Sequence, residues 1–438
     1  MHSDSPSLGP RPRHLPLAPL AKPARRALPL LDEARAVDKR VRPIYAVWEI
    51  TLACDLLCRH CGSRAGKRRP DELTTEECLD LVDQMADLGV KEVTLIGGEA
   101  YLRDDWIEII EHVGARGMTC TMTTGGRQLD DTKVARAKAA GLRAVSVSVD
   151  GLEEAHDEQR GLRGSWKAAL AAIDTLVRHN VRVTANTQIN QRNLHEIAGV
   201  YELLRDRGIK AWQFQLTTAM GRAGDEDRLL LQPWHVLEVI PLMARLKLRG
   251  DAEGVMFWPG NNIGYFGPHE AELRSRMPGN YRGTCGAGRG TLGIEANGDI
   301  KGCPSLPTSD YVGGNVREHR LLDIWERAEP LQFTHTFKTS DLKGFCADCY
   351  YADECRGGCN WTSHVLLGYR GDNPYCHHRA LELLARGERE SIERAEGAPG
   401  DPFDYGRFVI RREPWPEADR AIADALARGE IASFPRER

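Results

Sequence analysis

Between residue 43 and about residue 250 the chain alternates six times between short β-rich runs and longer stretches with helical apolar spacing. The β-rich runs fall near 44–50, 92–96, 118–124, 144–149, 181–189 and 211–217. The helical stretches fall near 74–88, 104–116, 131–140, 165–179, 193–207 and 233–249. Six such units with short connections require a parallel sheet, because each helix must carry the chain back before the next strand. This is two units short of a closed eight-unit barrel. The expected fold is therefore α/β: an incomplete (β/α)6 TIM-like barrel with its helices outside.

Strands in such a barrel normally point branched apolar side chains inward. Four of these runs instead repeat polar residues at period two: Thr119, Thr121 and Thr123; Ser146, Ser148 and Asp150; Asn186, Gln188 and Asn190; Gln213, Gln215 and Thr217. A strand places alternate residues on one face. The sets imply a polar cavity, since buried polar groups need partners; the other reading is that they face outward and cap helices. They lie toward the carboxyl ends of the strands, where active sites of barrels are built.

Directly after the first run, Ile44–Ile50, come Cys54, Cys58 and Cys61 in a C-x3-C-x2-C loop, and the second run ends in Gly97-Gly98-Glu99. Three thiolates can hold three irons of a [4Fe–4S] cube and leave the fourth open to a ligand. A zinc knuckle or part of a ferredoxin site is the alternative. With the Gly-Gly-Glu turn in place, residues 43–380 resemble the radical S-adenosylmethionine (SAM) superfamily. The resemblance implies that the open iron chelates the methionine moiety of SAM, with Gly97, Gly98 and Glu99 on its amino group. It also implies reductive cleavage of SAM to a 5′-deoxyadenosyl radical. Asp150-Gly151, His156-Asp157 and Arg160-Gly161 resemble the stretch whose arginine meets the SAM carboxylate, making Arg160 the candidate; a surface salt bridge with Asp157 is the plainer reading. Thr123, Thr124, Ser146 and Ser148 are candidate ribose contacts, and Asn186 and Gln213 complete the SAM-contact set.

Seven further cysteines follow at 285, 303, 346, 349, 355, 359 and 376. Cys303 closes a G-x4-C arrangement, the next four read C-x2-C-x5-C-x3-C, and Cys376 follows Asn373-Pro374-Tyr375. A zinc ribbon would also use C-x2-C. The whole order resembles the SPASM extension of peptide-modifying radical SAM enzymes, which holds two auxiliary clusters. The resemblance assigns Cys346, Cys349, Cys355 and Cys376 to a distal cluster, and Cys285, Cys303 and Cys359 to a proximal one. No sulfur near Thr291 offers a fourth proximal ligand. The proximal site is thus expected to have an open iron, a non-cysteine ligand or a smaller cluster. Cys78 and Cys120 remain, expected as small buried residues. Pro304 stands where sulfatase-maturing relatives carry a basic Asp, which speaks against formylglycine formation.

The expected organisation is a Pro/Arg-rich arm (1–42), the partial barrel (43–250), a bridging segment (251–284), the cysteine-rich iron–sulfur domain (285–380), and a C-terminal charged helix to about Ala395 with a tail (381–438). The bridge carries Trp258-Pro259-Gly260-Asn261-Asn262, Tyr265, Phe266 and His269, which either line a pocket or serve as a linker. Too few residues precede Ile44 for a leader-binding winged helix, so the expectation is either a separate carrier protein that supplies one or a substrate without a leader. The 438 residues, 41% of them hydrophobic, suffice for a large core. A net charge of −4 and a pI near 6.4 argue against a nucleic-acid-binding protein, and no apolar run reaches the ~20 residues of a membrane span. Twelve cysteines in metal-type spacings indicate a reducing, cytoplasmic setting.

The functional expectation is a radical SAM enzyme with three [4Fe–4S] clusters and SAM. A flavodoxin or ferredoxin would reduce it, and it would oxidise a ribosomally made peptide, forming a crosslink. Oxidation or rearrangement of a small molecule is the alternative within enzymes. A multi-cluster electron carrier or a zinc-binding protein is the alternative outside them.

Overall fold

The computed structural model describes residues 41–274, 285–430 and 432–434. The N-terminal arm, including the short helix its sequence suggests near Leu31–Val41, lies almost wholly outside the described residues. The six alternations fold as parallel strands β1 (Tyr45–Glu49), β2 (Glu92–Ile96), β3 (Thr119–Thr124), β4 (Leu142–Ser148), β5 (Arg182–Ile189) and β6 (Ala211–Leu216), neighbours in that order. Between them run α1 (Thr75–Leu88), α2 (Trp106–Ala115), α3 (Asp131–Ala139), α4 (Glu153–Arg160), α5 (Ser165–Arg178) and α6 (Ile197–Asp206). A single turn, α7 (Arg222–Asp225), and the long α8 (Val236–Glu253) follow. The short α4 was not expected, because Glu-Glu-Ala-His-Asp-Glu-Gln-Arg carries no apolar stripe to betray a helix.

Local chemistry sets these boundaries. Thr74 accepts the Glu77 N–H while the Glu77 carboxylate takes the Thr74 N–H at 2.8 Å, a reciprocal cap that starts α1. Gly89 ends α1 in a left-handed conformation that a side chain would strain. Apolar residues of the strands turn outward against the helices: Val93 and Leu95, Cys120 and Met122, Val145 and Val147, Trp212 and Phe214 are all buried there. Each large side chain contributes about 1.5–3 kcal/mol by leaving water. Cys78 and Cys120, both 1% exposed, belong to this core.

The sheet is larger than six strands. Within the bridging segment β7 (Met256–Pro259) pairs with β6 in parallel, and β8 (Thr291–Ile294) pairs with β1 in parallel. Antiparallel β9 (Asp299–Lys301) and β10 (Gly314–Asn315) complete the order β10-β9-β8-β1-β2-β3-β4-β5-β6-β7. The cysteine-rich region thus begins by extending the barrel sheet. Strands of two to four residues ending in Pro or interrupted by Gly are too short to show a period.

The tail also differs from expectation. The helix His377–Ala385 stops before Gly387, and Glu388–Glu396 forms a strand, β11, paired antiparallel with β12 (Arg407–Pro414). Its Glu and Arg residues favour helix in isolation. Opposite charges across the hairpin override that preference, with Arg389–Glu413 at 2.8 Å, Arg411–Glu393 at 2.5 Å and Arg412–Glu390 at 3.1 Å. Among the described residues no helix is long and apolar enough to cross a membrane.

Candidate active site

The loop after β1 is folded back onto the end of β2. The Gly98 N–H donates to the Thr51 carbonyl and the Glu99 N–H to the Ala53 carbonyl, both at 2.7 Å. A Cβ on Gly97 would lie 2.3 Å from the Thr51 oxygen, and one on Gly98 would lie 2.1 Å from the Ala53 oxygen. Only glycine allows this contact, which seats Cys54 beside Glu99. Arg222, the first residue of α7, holds the loop from the other side. Its Nε donates to the Cys58 carbonyl at 2.7 Å, and both terminal nitrogens donate to the Ala65 carbonyl at 3.1 Å.

Cys54, Cys58 and Cys61 open into one cavity of about 280 Å³ at the carboxyl ends of β1–β6. Gly97, Gly98, Glu99, Thr123, Thr124, Ser148, Arg160 and Asn186 line it with them, as expected of a common site. Ser146 and Gln213 are not among its lining. They face the same way as Ser148 and Gln215 but stand one pleat repeat, roughly 6.6–6.8 Å, deeper along their strands. Gln188, Gln215, Asp150, His60 and Arg222 join the lining without having been singled out as contacts. The polar period marked the first three, whereas nothing in the spacing pointed to His60 or Arg222.

The donors around the three sulfurs suit an iron–sulfur cluster. Leu56 N–H donates to Cys54 Sγ at 3.4 Å, Ala65 N–H to Cys61 Sγ at 3.4 Å, and the Arg160 guanidinium to Cys58 Sγ at 3.6 Å. Hydrogen bonds to sulfur stabilise ligating thiolates and set the potential of a cluster. Burial, then Glu99 and the other cysteines, pushes the Cys54 thiol up to about 12. Burial pushes Cys58 up to about 11 against the pull of Arg160. Metal ligation is what keeps such thiols deprotonated near neutral pH.

Glu99 is buried, and its carboxylate accepts from the Thr124 hydroxyl at 2.5 Å and from Gly125 N–H at 2.7 Å. Burial nonetheless raises its pKa to about 7. Arg160 pairs with Asp150 at 2.5 Å, and not with Asp157. Asp157 instead accepts from Gly164 N–H, the Ser165 hydroxyl and Trp166 N–H, tying α4 to α5. Burial would raise the Asp150 pKa, but Arg160 and His60 outweigh it and hold the carboxyl well below the usual range.

The other cysteines gather in two groups. Cys346, Cys349, Cys355 and Cys376 line one small cavity with Phe266, Phe345, Tyr351 and His378. Cys285 and Cys303 pack on an apolar cluster of Ala287, Leu306, Tyr311 and Phe333. Cys359 is raised to about 12 by burial and then by Cys285, with Cys303 also contributing. The bridging residues serve both as linker and as lining: Asn262 bonds both the N–H and the carbonyl of Leu216, Phe266 stacks on Tyr351 at 4.7 Å and lines the small cavity with Tyr265, and the Tyr265 hydroxyl takes the Cys359 N–H at 3.1 Å.

Residues 48–211 match the family described as the radical SAM superfamily, and residues 285–350 match SPASM, an iron-sulfur cluster-binding domain. The chain is a radical SAM enzyme with a SPASM extension. It is similar to AdoMet-dependent heme synthase of Methanosarcina barkeri, 29% identical over 344 residues, covering 77% of this chain and 97% of that protein. It is equally similar to mycofactocin maturase MftC of Mycolicibacterium smegmatis, 29% over 354 residues, covering 76% and 82%. Streptococcus suis SuiB bound to S-adenosylmethionine shares the fold at TM-score 0.61 and 16% identity, covering 77% of this chain and 76% of that one. As a radical SAM/SPASM enzyme the protein uses SAM and iron–sulfur clusters.

Proposed function

We propose that this enzyme oxidatively modifies a peptide, forming a crosslink, with three four-iron clusters on the cysteine groups 54/58/61, 285/303/359 and 346/349/355/376. When bound, the clusters supply one-electron transfer, and SAM supplies a hydrogen-abstracting carbon radical. Glu99 would take the ammonium of SAM and Arg160 its carboxylate, through charge-assisted hydrogen bonds. A flavodoxin or ferredoxin would deliver electrons, and a separate carrier could present the peptide.

One observation carries the peptide reading. The inner face of the barrel is wet and dominated by neutral polar groups: Thr121, Thr123, Ser146, Asn186, Gln188, Gln213 and Gln215 are all accessible, while their apolar neighbours are buried. Amides and hydroxyls both donate and accept, as a peptide backbone requires. Among the described lining residues the arginines are already engaged, Arg160 with Asp150 and Cys58, Arg222 with carbonyls. The second reading, a tetrapyrrole or other small molecule, draws on the 97% coverage of the heme synthase. A tetrapyrrole brings carboxylates that call for free cations, which this lining does not offer. The MftC relative and the SuiB complex with precursor peptide SuiA favour the first.

Anaerobic co-expression with short reading frames flanking the gene, followed by mass spectrometry, tests the proposal. The expected result is one peptide lighter by two hydrogens. Unchanged peptides, together with SAM-dependent conversion of an iron tetrapyrrole, would overturn it.

A further inference from the structure

A hydrogen-bonded chain of titratable side chains leads from the Cys285/Cys303/Cys359 group to the surface. The Tyr311 hydroxyl lies 2.9 Å from His364 Nδ1, and His364 Nε2 lies 3.0 Å from the Tyr405 hydroxyl. Tyr405 in turn donates to the Asp310 carboxylate at 3.0 Å. At the inner end Arg370 donates to the Tyr311 oxygen at 3.2 Å. These bonds admit two senses. With the proton of neutral His364 on Nε2, every member donates outward from Arg370 to the Asp310 carboxylate; with it on Nδ1 and a proton on Asp310, Asp310 donates to Tyr405, Tyr405 to Nε2 and Nδ1–H to the Tyr311 oxygen, the sense that carries a proton inward.

The placement links the chain to the proximal thiols. Tyr311, 1% exposed, is in the apolar cluster on which Cys285 and Cys303 pack. Tyr311 ends the helix Thr308–Tyr311, just beyond Cys303, and His364 lies on the helix Asn360–Leu367, capped by Cys359. Tyr405 comes from the far end of the sequence, between β11 and β12, and Asp310 is exposed. Nothing in the SAM site uses these groups.

We propose that Tyr311, His364 and Tyr405 form a proton relay that takes up one proton from solvent when the proximal centre gains one electron, and returns it when that electron leaves. This rests on the proposed proximal cluster. The electron comes from the oxidised substrate radical in turnover, or from a chemical one-electron reductant in the test. The proton binds Asp310 and passes to the Tyr405 oxygen as Tyr405 gives its own proton to His364 Nε2; with Nδ1–H already facing Tyr311, His364 becomes imidazolium. Reduction adds a negative charge to a site of low dielectric, and a proton on the adjacent chain compensates it. The titratable and charged groups facing His364 are Tyr311, Tyr405, Asp310 and Arg370. Burial and Arg370 favour neutral His364 at rest, and Asp310 opposes them.

The test is a potentiometric titration of the reconstituted full-length enzyme, following the paramagnetic signal that Cys303→Ala removes. The expected midpoint potential falls with pH at close to 59 mV per tenfold change in proton activity, the one-proton, one-electron value. In His364→Gln, which keeps hydrogen bonding without the proton site, the potential becomes flat. Tyr405→Phe keeps the slope, because His364 remains, but slows re-equilibration after a pH jump. A flat wild-type profile, an unchanged slope in His364→Gln, or an unslowed Tyr405→Phe would overturn the relay, since a purely structural strut predicts all three. Absence of any signal that Cys303→Ala removes would instead refute the proximal cluster itself.

Discussion

Glu49 shows how one buried carboxylate couples the two halves of the molecule. It is 1% exposed at the end of β1, and its Oε1 has no hydrogen-bond partner. Burial, then Glu295, pushes its pKa up to about 8 against Lys301 and Arg69. The folded state therefore keeps this proton where the unfolded chain, with an ordinary carboxylate pKa, has lost it. Its contribution to stability is full at acidic pH and is lost as pH rises through 8. Denaturant titrations of wild type between pH 5 and 8.5 should show a decline on the order of 1–3 kcal/mol that Glu49→Gln lacks. Parallel declines in both proteins would contradict the assignment. In the SAM site, Glu99→Gln and Arg160→Ala should keep iron content and weaken SAM binding at least about tenfold, the cost of one lost charge-assisted bond. Equilibrium dialysis of SAM against reconstituted protein measures this, and unchanged affinity in both variants would remove these residues from the site.

At the level of elements, the segment between β11 and β12 fastens the cysteine loop. Phe403 N–H donates to the Gly62 carbonyl at 3.0 Å, Asp404 pairs with Arg64 at 2.7 Å, and Gly221 N–H reaches the Asp404 carbonyl at 2.8 Å. Asp404→Ala also frees the Gly400 and Asp401 amides. It should cost about 2–3 kcal/mol and raise amide exchange in residues 60–66 while leaving β2–β5 protected. Exchange unchanged in that loop would show that it stands without the hairpin. None of this was legible beforehand, because contacts more than 300 residues apart leave no local spacing. The six barrel strands and the cysteine groups were legible, since a period of two and a ligand spacing are local. Ser146 and Gln213 fall outside the cavity lining for a related reason: the period fixes the face of a strand but not the depth along it. The charged run Glu388–Glu396 read as helix because cross-strand ion pairs are invisible until the partner strand is placed.

Across the whole molecule, one continuous sheet carries two of the cysteine groups. β1 leads into the Cys54 loop, and β8, beside it, leads through β9 to Cys303. The ten grouped cysteines imply up to about 12 iron per chain after anaerobic reconstitution. Replacing Cys54, Cys58 and Cys61 together by Ala should remove about four and abolish SAM cleavage; tight zinc binding without an iron chromophore would exclude the cluster assignment. The most direct measurement of the central claim uses the cognate peptide deuterated at its reacting carbons. The account predicts that deuterium appears in 5′-deoxyadenosine while the peptide loses two hydrogens. SAM cleavage that leaves 5′-deoxyadenosine free of peptide deuterium, yet proceeds with label transfer from a deuterated tetrapyrrole, would contradict it.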